Sequence, residues 1–581
     1  TDIPSFVFYD NQEPLAGAAW AVTGTINMQT VSGKTGHSCF IAKSDASNVV
    51  NIIINRRVAG VNGIYRNIVQ DGVRTPATGN KNISDNLADS TAWTAEFAFV
   101  YYEGGISMYL KEAEEEFQLM YLASTIVDGT FNFFKIERKT SKVGKPPFNL
   151  KDMIKLIFYG YINKITSSVT LAYNAKYNHL YNLISHGIEP SDRTIRDYCK
   201  YFSSIYQLIM SFILITGNRI GLTDFEHIAI DGTIKRAYNS PFNIIKEKDI
   251  SLLIRHYMVE KLLKDEIKKL RRTARKFLKD KSKSDEEKVD ILFYWWYLLD
   301  CSGQVSLALN DNDARLMKTK DKGQKYQKFS YNVQLGTDTE SKLICGVNVV
   351  QNPTDHYQIP ALMNQILVNL NTKPKKISAD TIYSTIANIE YLDNLGISAL
   401  IPTSQQNRKN SGKLPDNPFA VDYFVFDEYK NVFICPNNEE LTPDGSYLAP
   451  QEKGGGNKIK IVYSNYKACK RCQYKEKCYE TNHRTITRYV HEATYKVERL
   501  MSTKDGIKDY KLRSKTVEAH NGTFKRVYHY DFLPLIGLKR IQNLMFTIVA
   551  SYNMIRLFNL IKKNKMDLFS VISTIRRISS Y

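Results

Sequence analysis

Three acidic residues stand where carboxylates could hold a divalent cation. Asp231 ends the apolar run His-Ile-Ala-Ile, Asp380 ends a second apolar run, and Glu518 lies in a segment with helical spacing. A carboxylate at the end of a buried strand is costly unless a cation or a hydrogen bond compensates it. Mg²⁺ or Mn²⁺ prefers oxygen ligands, and two such ions stabilise the attacking and leaving oxygens of a phosphodiester cleaved in line. The residue types therefore indicate metal-dependent phosphoryl chemistry, although a single acid at a strand end is usually a turn residue.

The elements around these acids decide whether they can meet. From Phe225 onward, the residue patterns predict strand, long helical insert, strand, strand, helix, strand, helix and strand. The segments after the insert are 328–341, 343–355, 357–370, 375–384, 386–396 and 398–404. This is the order of the ribonuclease H-like fold, in which the first and fourth strands lie side by side. Asp231 and Asp380 would then reach one edge of the sheet, and a final helix would bring Glu518.

Four cysteines fall in one window and could bind a second kind of metal. They are Cys435, Cys469, Cys472 and Cys478, half of the eight in the chain. A CxxC pair with two further thiolates fits a structural Zn²⁺ site. An iron–sulfur cluster would use the same ligands, and four reduced cysteines without metal fit the spacing as well.

Charge and composition favour a nucleic-acid partner in a reducing compartment. The 581 residues carry a formal net charge of +20, and 43% of them are hydrophobic. Residues 1–107 differ, with seven basic against nine acidic side chains and ten of the thirty glycines. A basic protein suits a polyanion, and cysteines this sparse outside one window do not suit a secreted disulfide scaffold. We expect a cytoplasmic, nucleoid-associated protein with no membrane partner, because no apolar run is long enough to span a bilayer.

The regions flanking the acids suggest DNA binding without proving it. Residues 108–222 read as short amphipathic helices, which fits a helix-turn-helix unit or an ordinary helical bundle equally well. The segment 261–283 holds eleven cations against three acids and reads as one helix with a narrow apolar seam. Its basic face contacts either DNA phosphates or solvent.

Four sequence blocks, in order along the chain, carry a resemblance to a known family. They are HIAIDGTIKRA, NDNDARLMKTKDKGQKYQKFSYNVQLGTD, ISADTIYSTIANIEYLDNLGISALIP and YKLRSKTVEAHNGTFKR. Together they resemble the DDE transposases of bacterial insertion sequences, most closely the group numbered eleven-eighty-two in the IS-four-like class. The resemblance covers about residues 110–581. It implies Mg²⁺-dependent cleavage and strand transfer on double-stranded DNA, at terminal inverted repeats and target sites, by a homodimer.

The resemblance also assigns residues. Asp231, Asp380 and Glu518 match the catalytic, metal-binding acids. Tyr510, Arg513, Glu518 and Lys525 match the family's Tyr, Arg, Glu and Lys signature, with one residue more between Arg513 and Glu518 than in the commonest form. Tyr510, Arg513 and Lys525 would contact DNA. Lys235 and Arg236, just beyond Asp231, are further candidates for DNA contact.

Other acids have simpler interpretations. Asp311 and Asp313 read as loop or cap residues, and Asp355, beside His356, reads as the cap of the following helix. The histidines show no metal-ligand spacing.

The predicted fold class is a multidomain α+β protein with five parts. These are a β-rich, sandwich- or barrel-like head (1–107), a helical DNA-binding region (108–222), the ribonuclease H-like core (223–404, with a helical insert at 241–310), a Cys-rich insertion domain (405–506) and C-terminal core helices (507–581). The competing functions are a nuclease without strand transfer and a catalytically inert DNA-binding or fusion protein.

Overall fold

The computed structural model describes most of the chain beyond residue 113. In residues 20–110 it describes the backbone of eight strands, and further along it describes residues 114–137, 147–240, 242–321, 324–449, 458–526 and 532–579. Side chains are not described in those eight strands, nor at residues 114, 179, 319–326, 449, 458, 518–523, 525, 526 and 569. The side chains of two predicted site residues, Glu518 and Lys525, therefore lie outside the described part.

Two compact units divide the chain: residues 1–125, 140–159 and 168–192 form the first, and the rest forms the second. The first unit contains the strands β1 (Trp20–Gln29), β2 (His37–Asp45), β3 (Asn48–Val58), β4 (Val61–Gln70), β5 (Val73–Thr75), β6 (Lys81–Asp85), β7 (Ala92–Tyr102) and β8 (Gly105–Leu110). They pair antiparallel as a sheet β1–β7–β8 and a sheet β2–β3–β4–β5 with β6 beside β4. The predicted β-rich character of this region is thus present in the backbone, and the predicted boundary at 107 falls inside β8.

The helices that follow are α1 (Glu114–Phe133), α2 (Leu150–Ile162), α3 (Ser168–Tyr177), α4 (His179–Ile184), α5 (Asp192–Tyr201) and α6 (Ile205–Arg219). The carboxamide oxygen of Asn149 accepts a hydrogen bond from the backbone N–H of Lys151, 2.8 Å away, just before α2. This is the capping role expected of an Asn at a helix start. The last two of these helices, α5 and α6, are bent by 71° relative to each other at a short break.

The remaining elements belong to the second unit. They are β9 (His227–Arg236), β10 (Ile244–Lys246), α7 (Glu247–Met258), α8 (Lys264–Lys269), α9 (Arg272–Lys279), α10 (Asp285–Ser302), β11 (Ser306–Ala308), β12 (Arg315–Asp321), β13 (Gln324–Asp338), β14 (Ile344–Val350), α11 (Ile359–Leu370), β15 (Lys376–Ser378), α12 (Ile386–Asn394), β16 (Ser398–Leu400), α13 (Ser404–Ser411), β17 (Val425–Asp427), β18 (Val432–Ile434), β19 (Glu440–Ala449), β20 (Lys458–Ser464), α14 (Tyr466–Arg471), α15 (Lys475–Cys478), β21 (Thr485–Val490), α16 (Glu492–Leu500), α17 (Lys504–Arg526), α18 (Leu538–Lys563) and α19 (Leu568–Ser579).

A six-stranded mixed sheet lies at the centre of this unit. Its strands run in the order β14–β13–β9–β15–β16, and β12 also pairs with the first half of β13. β13 is antiparallel to β9 and β14, whereas β15 and β16 run parallel to β9. The predicted adjacency of the first and fourth strands, β9 and β15, is therefore present. The hairpin partner β12 was not predicted.

Helices cover this sheet with apolar side chains. α18 contacts α6 and β14, α11 contacts β14, and α17 contacts β9, β13, β15 and β16. By length and composition α18 could cross a membrane, but 78% of its apolar window is buried inside the protein. α18 therefore serves as a core helix of the second unit.

The basic insert differs from the single helix predicted for 261–283. Its chain breaks between α8 and α9, where the backbone N–H of Arg271 donates 3.1 Å to the carboxylate of Asp249 on α7. Of the apolar residues in this segment, Leu270 and Ala274 are buried in the insert's own core, whereas Leu263 is 72% exposed. A tertiary hydrogen bond thus replaces one helical bond and splits the segment in two.

Candidate active site and cysteine lobe

Two of the predicted acids meet at one edge of the mixed sheet. In the parallel register of β9 and β15, Ser378 lies opposite Ala229. Asp231 and Asp380 each come two residues later, and neighbouring strands lie about 4.8 Å apart. Asp380 caps a short 3₁₀ turn, because its carboxylate accepts a hydrogen bond of 2.7 Å from the N–H of Thr381. The strand order therefore brings together two acids that are 149 positions apart in sequence.

Arg513 on α17 bridges this pair. Its guanidinium lies 3.5 Å from a carboxylate oxygen of Asp231 and 4.0 Å from one of Asp380. The guanidinium carbon is also 5.8 Å from the centre of the Tyr510 ring. The arrangement places one positive charge where two carboxylates converge.

The surroundings of Asp231 disfavour its charge. Burial raises the pKa of Asp231 to about 6, Arg513 opposes that increase, and the carboxylates of Asp355 and Asp380 add to it. Burial likewise raises the pKa of Tyr510. Additional positive charge at this edge would relieve the cost of ionising Asp231.

Asp355 belongs to this site, which its sequence position did not reveal. One carboxylate oxygen accepts hydrogen bonds from the side-chain amides of Asn332, at 2.7 Å, and Gln334, at 2.6 Å. The residue that begins α11 as its N-cap is Gln358. The interpretation of Asp355 as the cap of that helix is therefore wrong, because its carboxylate is held by amides of the central strand β13.

The hydrogen bonds around Asp355 reach both acid-bearing segments. The hydroxyl of Tyr383, in the turn after Asp380, donates 2.5 Å to Gln334. Gly232, next to Asp231, has no side chain, and a Cβ there would lie 2.3 Å from the Asp355 oxygen. Only glycine fits this close approach. A usable signal was present in the sequence, since Asn332 and Gln334 are polar residues inside a buried strand and needed partners.

The signature residues on α17 are only partly described. Tyr510 and Arg513 lie at the acid pair, whereas Glu518 and Lys525 are placed only by their backbone in α17. Position 518 is five positions after 513, a rotation of about 140° in a helix of 3.6 residues per turn. Glu518 as the third acid, and Lys525 as its neighbour, remain predictions.

The two cations after Asp231 have different surroundings. Lys235 is 5% exposed, and in the register of the sheet it lies opposite Tyr331. Arg236 is partly exposed, and its carbonyl accepts a hydrogen bond of 2.8 Å from the N–H of Leu533. The burial of Lys235 leaves little of its surface for a phosphate, and DNA contact through Lys235 or Arg236 remains a prediction.

Asp311 and Asp313, interpreted from the sequence as loop or cap residues, accept hydrogen bonds at the start of α18. Asp313 accepts a hydrogen bond of 2.9 Å from the N–H of Leu538, the first residue of α18. Asp311 accepts one of 3.2 Å from Gly537 and one of 2.7 Å from the Tyr331 hydroxyl. Carboxylates suit the positive end of a helix. These acids join the loop before β12 to the last long helix.

The four cysteines of the 405–506 region converge on one small cavity. All four are free thiols and line a space of about 30 Å³, beside a five-stranded antiparallel sheet β17–β18–β19–β20–β21. The N–H of Glu439 donates 3.4 Å to the sulfur of Cys435. Burial raises the pKa of Cys469 and of Cys478, and the neighbouring thiols add to it. We call residues 421–490 the cysteine lobe.

Neither the acid pair nor the four cysteines has the side-chain geometry of an occupied metal site. Within the described ranges, no three His, Cys, Asp or Glu side chains are arranged to hold a metal ion. The donor types nevertheless fit: Asp231 and Asp380 already share a cation in Arg513, and four sulfurs face one cavity with room for an ion.

Comparison with known proteins identifies two segments. Residues 434–558 match the family model described as "Transposase DDE domain", and residues 109–200 match "Transposase domain (DUF772)". No curated protein matches the chain. Among solved structures, a cryo-EM structure of the piggyBac transposase synaptic complex with hairpin DNA is similar, with 10% identity, 80% of this chain and 78% of that chain covered, and a TM-score of 0.27. That score is too low to support an argument.

The DDE match covers the cysteine lobe from Ile434, the helix α17 and most of α18. A DDE domain implies dependence on a divalent metal ion. The matches to residues 109–200 and 434–558 therefore support a DDE transposase of the insertion-sequence type.

Proposed function

We propose that this transposase binds the ends of its own element, cleaves them by Mg²⁺-dependent hydrolysis and joins the freed 3′ hydroxyl to target DNA. The observation that carries the proposal is the convergence of Asp231 and Asp380 on the guanidinium of Arg513. An edge that already stabilises one cation between two carboxylates suits phosphoryl transfer. The assignment to the group numbered eleven-eighty-two is part of the proposal.

Each residue has a role that follows from its chemistry. Asp231 and Asp380 hold the divalent cation, with Glu518 as the third acid that the family resemblance supplies. When bound, such a cation stabilises the charge on the reacting phosphate and lowers the pKa of the attacking water. Asp355 positions Asp231 through the space left by Gly232.

Arg513 has two anionic partners at different stages. Without a metal ion its guanidinium offsets the charge of both carboxylates. Guanidinium also binds phosphate oxygens through two parallel hydrogen bonds. Arg513 would therefore turn to the DNA backbone once another cation occupies the acid pair, with Tyr510 beside it and Lys525 further along α17.

The remaining assignments complete the proposal. Two DNA ends must be held together for joining, so the working form is a homodimer on double-stranded DNA in the nucleoid. The cysteine lobe binds one structural Zn²⁺ through Cys435, Cys469, Cys472 and Cys478. The supporting observation is the single cavity that all four line.

A product assay tests the function. Purified protein is incubated with Mg²⁺, a target plasmid and labelled duplexes taken from the DNA that flanks the coding sequence. We expect nicked ends and end–plasmid joints from the wild type, and neither from Asp231→Ala. Asp265→Ala, which removes an exposed acid of α8, serves as the matched control and should remain active.

Other products would contradict the proposal. Cut ends without joints would indicate a nuclease that lacks strand transfer. Binding without cuts by the wild type would indicate an inert DNA-binding protein. Full cleavage by Asp231→Ala would exclude the site.

A further inference from the structure

Four lysines form a stripe along the outer face of α17. They are Lys504, Lys508, Lys511 and Lys515, all exposed, at spacings of four, three and four residues. In a helix of 3.6 residues per turn these positions share one face. The stripe is about 17 Å long at a rise of about 1.5 Å per residue.

The stripe borders an open groove. A space of about 540 Å³ is lined by the four lysines together with Ile507 and Leu512. Tyr510 and Arg513, which meet the acid pair, lie on the opposite face of the same helix by about 130° to 170° of rotation. α17 therefore presents the reacting site on one side and a basic groove on the other.

The ammonium groups have no acidic partners in the described part of the chain. Within the described residues, none of the four lysine side chains makes a hydrogen bond or an ion pair. Asp509, an acid on the same helix, instead pairs with Lys376, at 2.6 Å. Like charges four residues apart destabilise a helix. Such a stripe is unfavourable by itself and becomes favourable when a polyanion covers it.

We propose that this lysine stripe is a binding track for the phosphate backbone of duplex DNA. At about 3.4 Å of duplex axis per phosphate of one strand, about 17 Å spans four or five phosphates. Because α17 is about 10 Å wide, the track holds a segment that flanks the reacting phosphate and not that phosphate itself. The other two residues that line the groove, Ile507 and Leu512, carry no acceptor that could compete with phosphate oxygens for the lysine ammonium groups. The inference rests on the proposed function for its choice of DNA as the polyanion.

The salt dependence of DNA binding tests the track. Lys504→Gln, Lys508→Gln, Lys511→Gln and Lys515→Gln are combined in one variant, and binding to a random-sequence 30-base-pair duplex is followed by fluorescence anisotropy. The slope of log K against log salt should become shallower by about 0.9 for each lost phosphate contact, up to roughly 3.6 for four. The combined Lys→Arg variant should keep the wild-type slope.

A matched control removes the same charge elsewhere. Lys409→Gln, Lys413→Gln, Lys562→Gln and Lys563→Gln are exposed positions outside α17 and should leave the slope unchanged. Equal slopes for the stripe and control variants would overturn the proposal. If the combined variant fails to fold by circular dichroism, Lys508→Gln and Lys511→Gln are measured singly, and each should change the slope by about 0.9.

The salt-slope test of the lysine stripe can fail or succeed independently of the cleavage test of the proposed function. The stripe variant should still cleave at low salt and saturating DNA, whereas Asp231→Ala should lose cleavage and keep the wild-type slope. Absence of cleavage by the wild type would overturn the proposed function and leave the slope measurement intact.

Discussion

The acid edge and the cysteine lobe both bring together residue types that can bind metal ions, but they are built in opposite ways. The acid edge takes side chains from β9, from the turn after β15 and from α17, and a large mixed sheet holds them. The cysteine lobe takes its four sulfurs from residues 435–478. Among its described side chains, the apolar cluster has four buried members: Phe424, Leu441, Tyr463 and Ile486.

The difference concerns what each cluster does to stability. A large core can accommodate an unfavourable buried acid, and the raised pKa of Asp231 indicates that cost. A small core needs additional cross-links, and a structural metal supplies them. We therefore expect the acids to cost stability and the thiols to provide it.

The largest effect should follow from removing one acid. Asp380→Asn should lower the single-turnover rate of end cleavage by about 10³-fold, or about 4 kcal/mol, because the cation loses a charged ligand. The metal content of the cysteine lobe, measured by mass spectrometry of the native protein, should not change. A parallel loss of that metal would show that the two clusters are not independent.

The free-energy cost of the buried charge on Asp231 can be measured through the free energy of unfolding. Between pH 4 and 6, Asp231 still holds its proton in the folded protein, whereas in the unfolded chain it has begun to release it. The free energy of unfolding therefore falls as the pH rises through this window. Asp231→Asn should therefore be more stable than wild type at pH 8 without metal, by up to about 3 kcal/mol, and equal at pH 4. The measurement is denaturant unfolding in a chelator.

An exposed acid provides the reference for this comparison. Asp265→Asn on α8 should match the wild type at both pH values. Destabilisation by Asp231→Asn at pH 8 would contradict the view that this carboxylate is an unfavourable charge.

The cysteine lobe should respond in the opposite direction. Cys469→Ser with Cys472→Ser should increase the rate of proteolysis within residues 421–490 by at least about tenfold, which corresponds to about 1.4 kcal/mol of local stability. The mixed sheet should remain resistant. Removal of metal from the wild type with a chelator should increase proteolysis in the same way. Cys301→Ser, which changes an exposed cysteine of α10, should leave the rate of proteolysis unchanged. Unchanged proteolysis after chelation would exclude a structural metal.

The smallest effect should come from Asp355. Asp355→Asn keeps the size of the side chain but removes the charged acceptor for the amides of Asn332 and Gln334. The weaker hydrogen bonds should cost about 1.5 kcal/mol of positioning free energy, so the rate of cleavage should fall about tenfold. Because the Asp355 carboxylate adds to the raised pKa of Asp231, the acid limb of the pH–rate profile should move to lower pH. Glu340→Gln is the exposed control. A slower rate with an unmoved acid limb would indicate a purely structural role.

The sequence predicted those features that depend on local patterns. Alternating apolar residues placed β9, β13, β14, β15 and β16, and the cysteine spacing located the lobe. Asp231 and Asp380 followed from the strand order because parallel neighbours end at the same edge.

The misses share a physical cause, which is competition from distant partners. Asp249 splits the basic segment by accepting the N–H of Arg271, and the amides of Asn332 and Gln334 take the carboxylate of Asp355 away from its helix. Local spacing contains no information about such contacts.

The caps on α18 also determine when the enzyme can become complete. Asp313 is synthesised 225 residues before its partner Leu538. At about 5–20 residues per second, translation takes roughly 10–45 s to cover that distance. Once residue 380 has been made, the nascent chain carries both Asp231 and Asp380 but still lacks the helix that closes the core. A ribosome that stops early would therefore release a fragment with the acid pair and no finished active site.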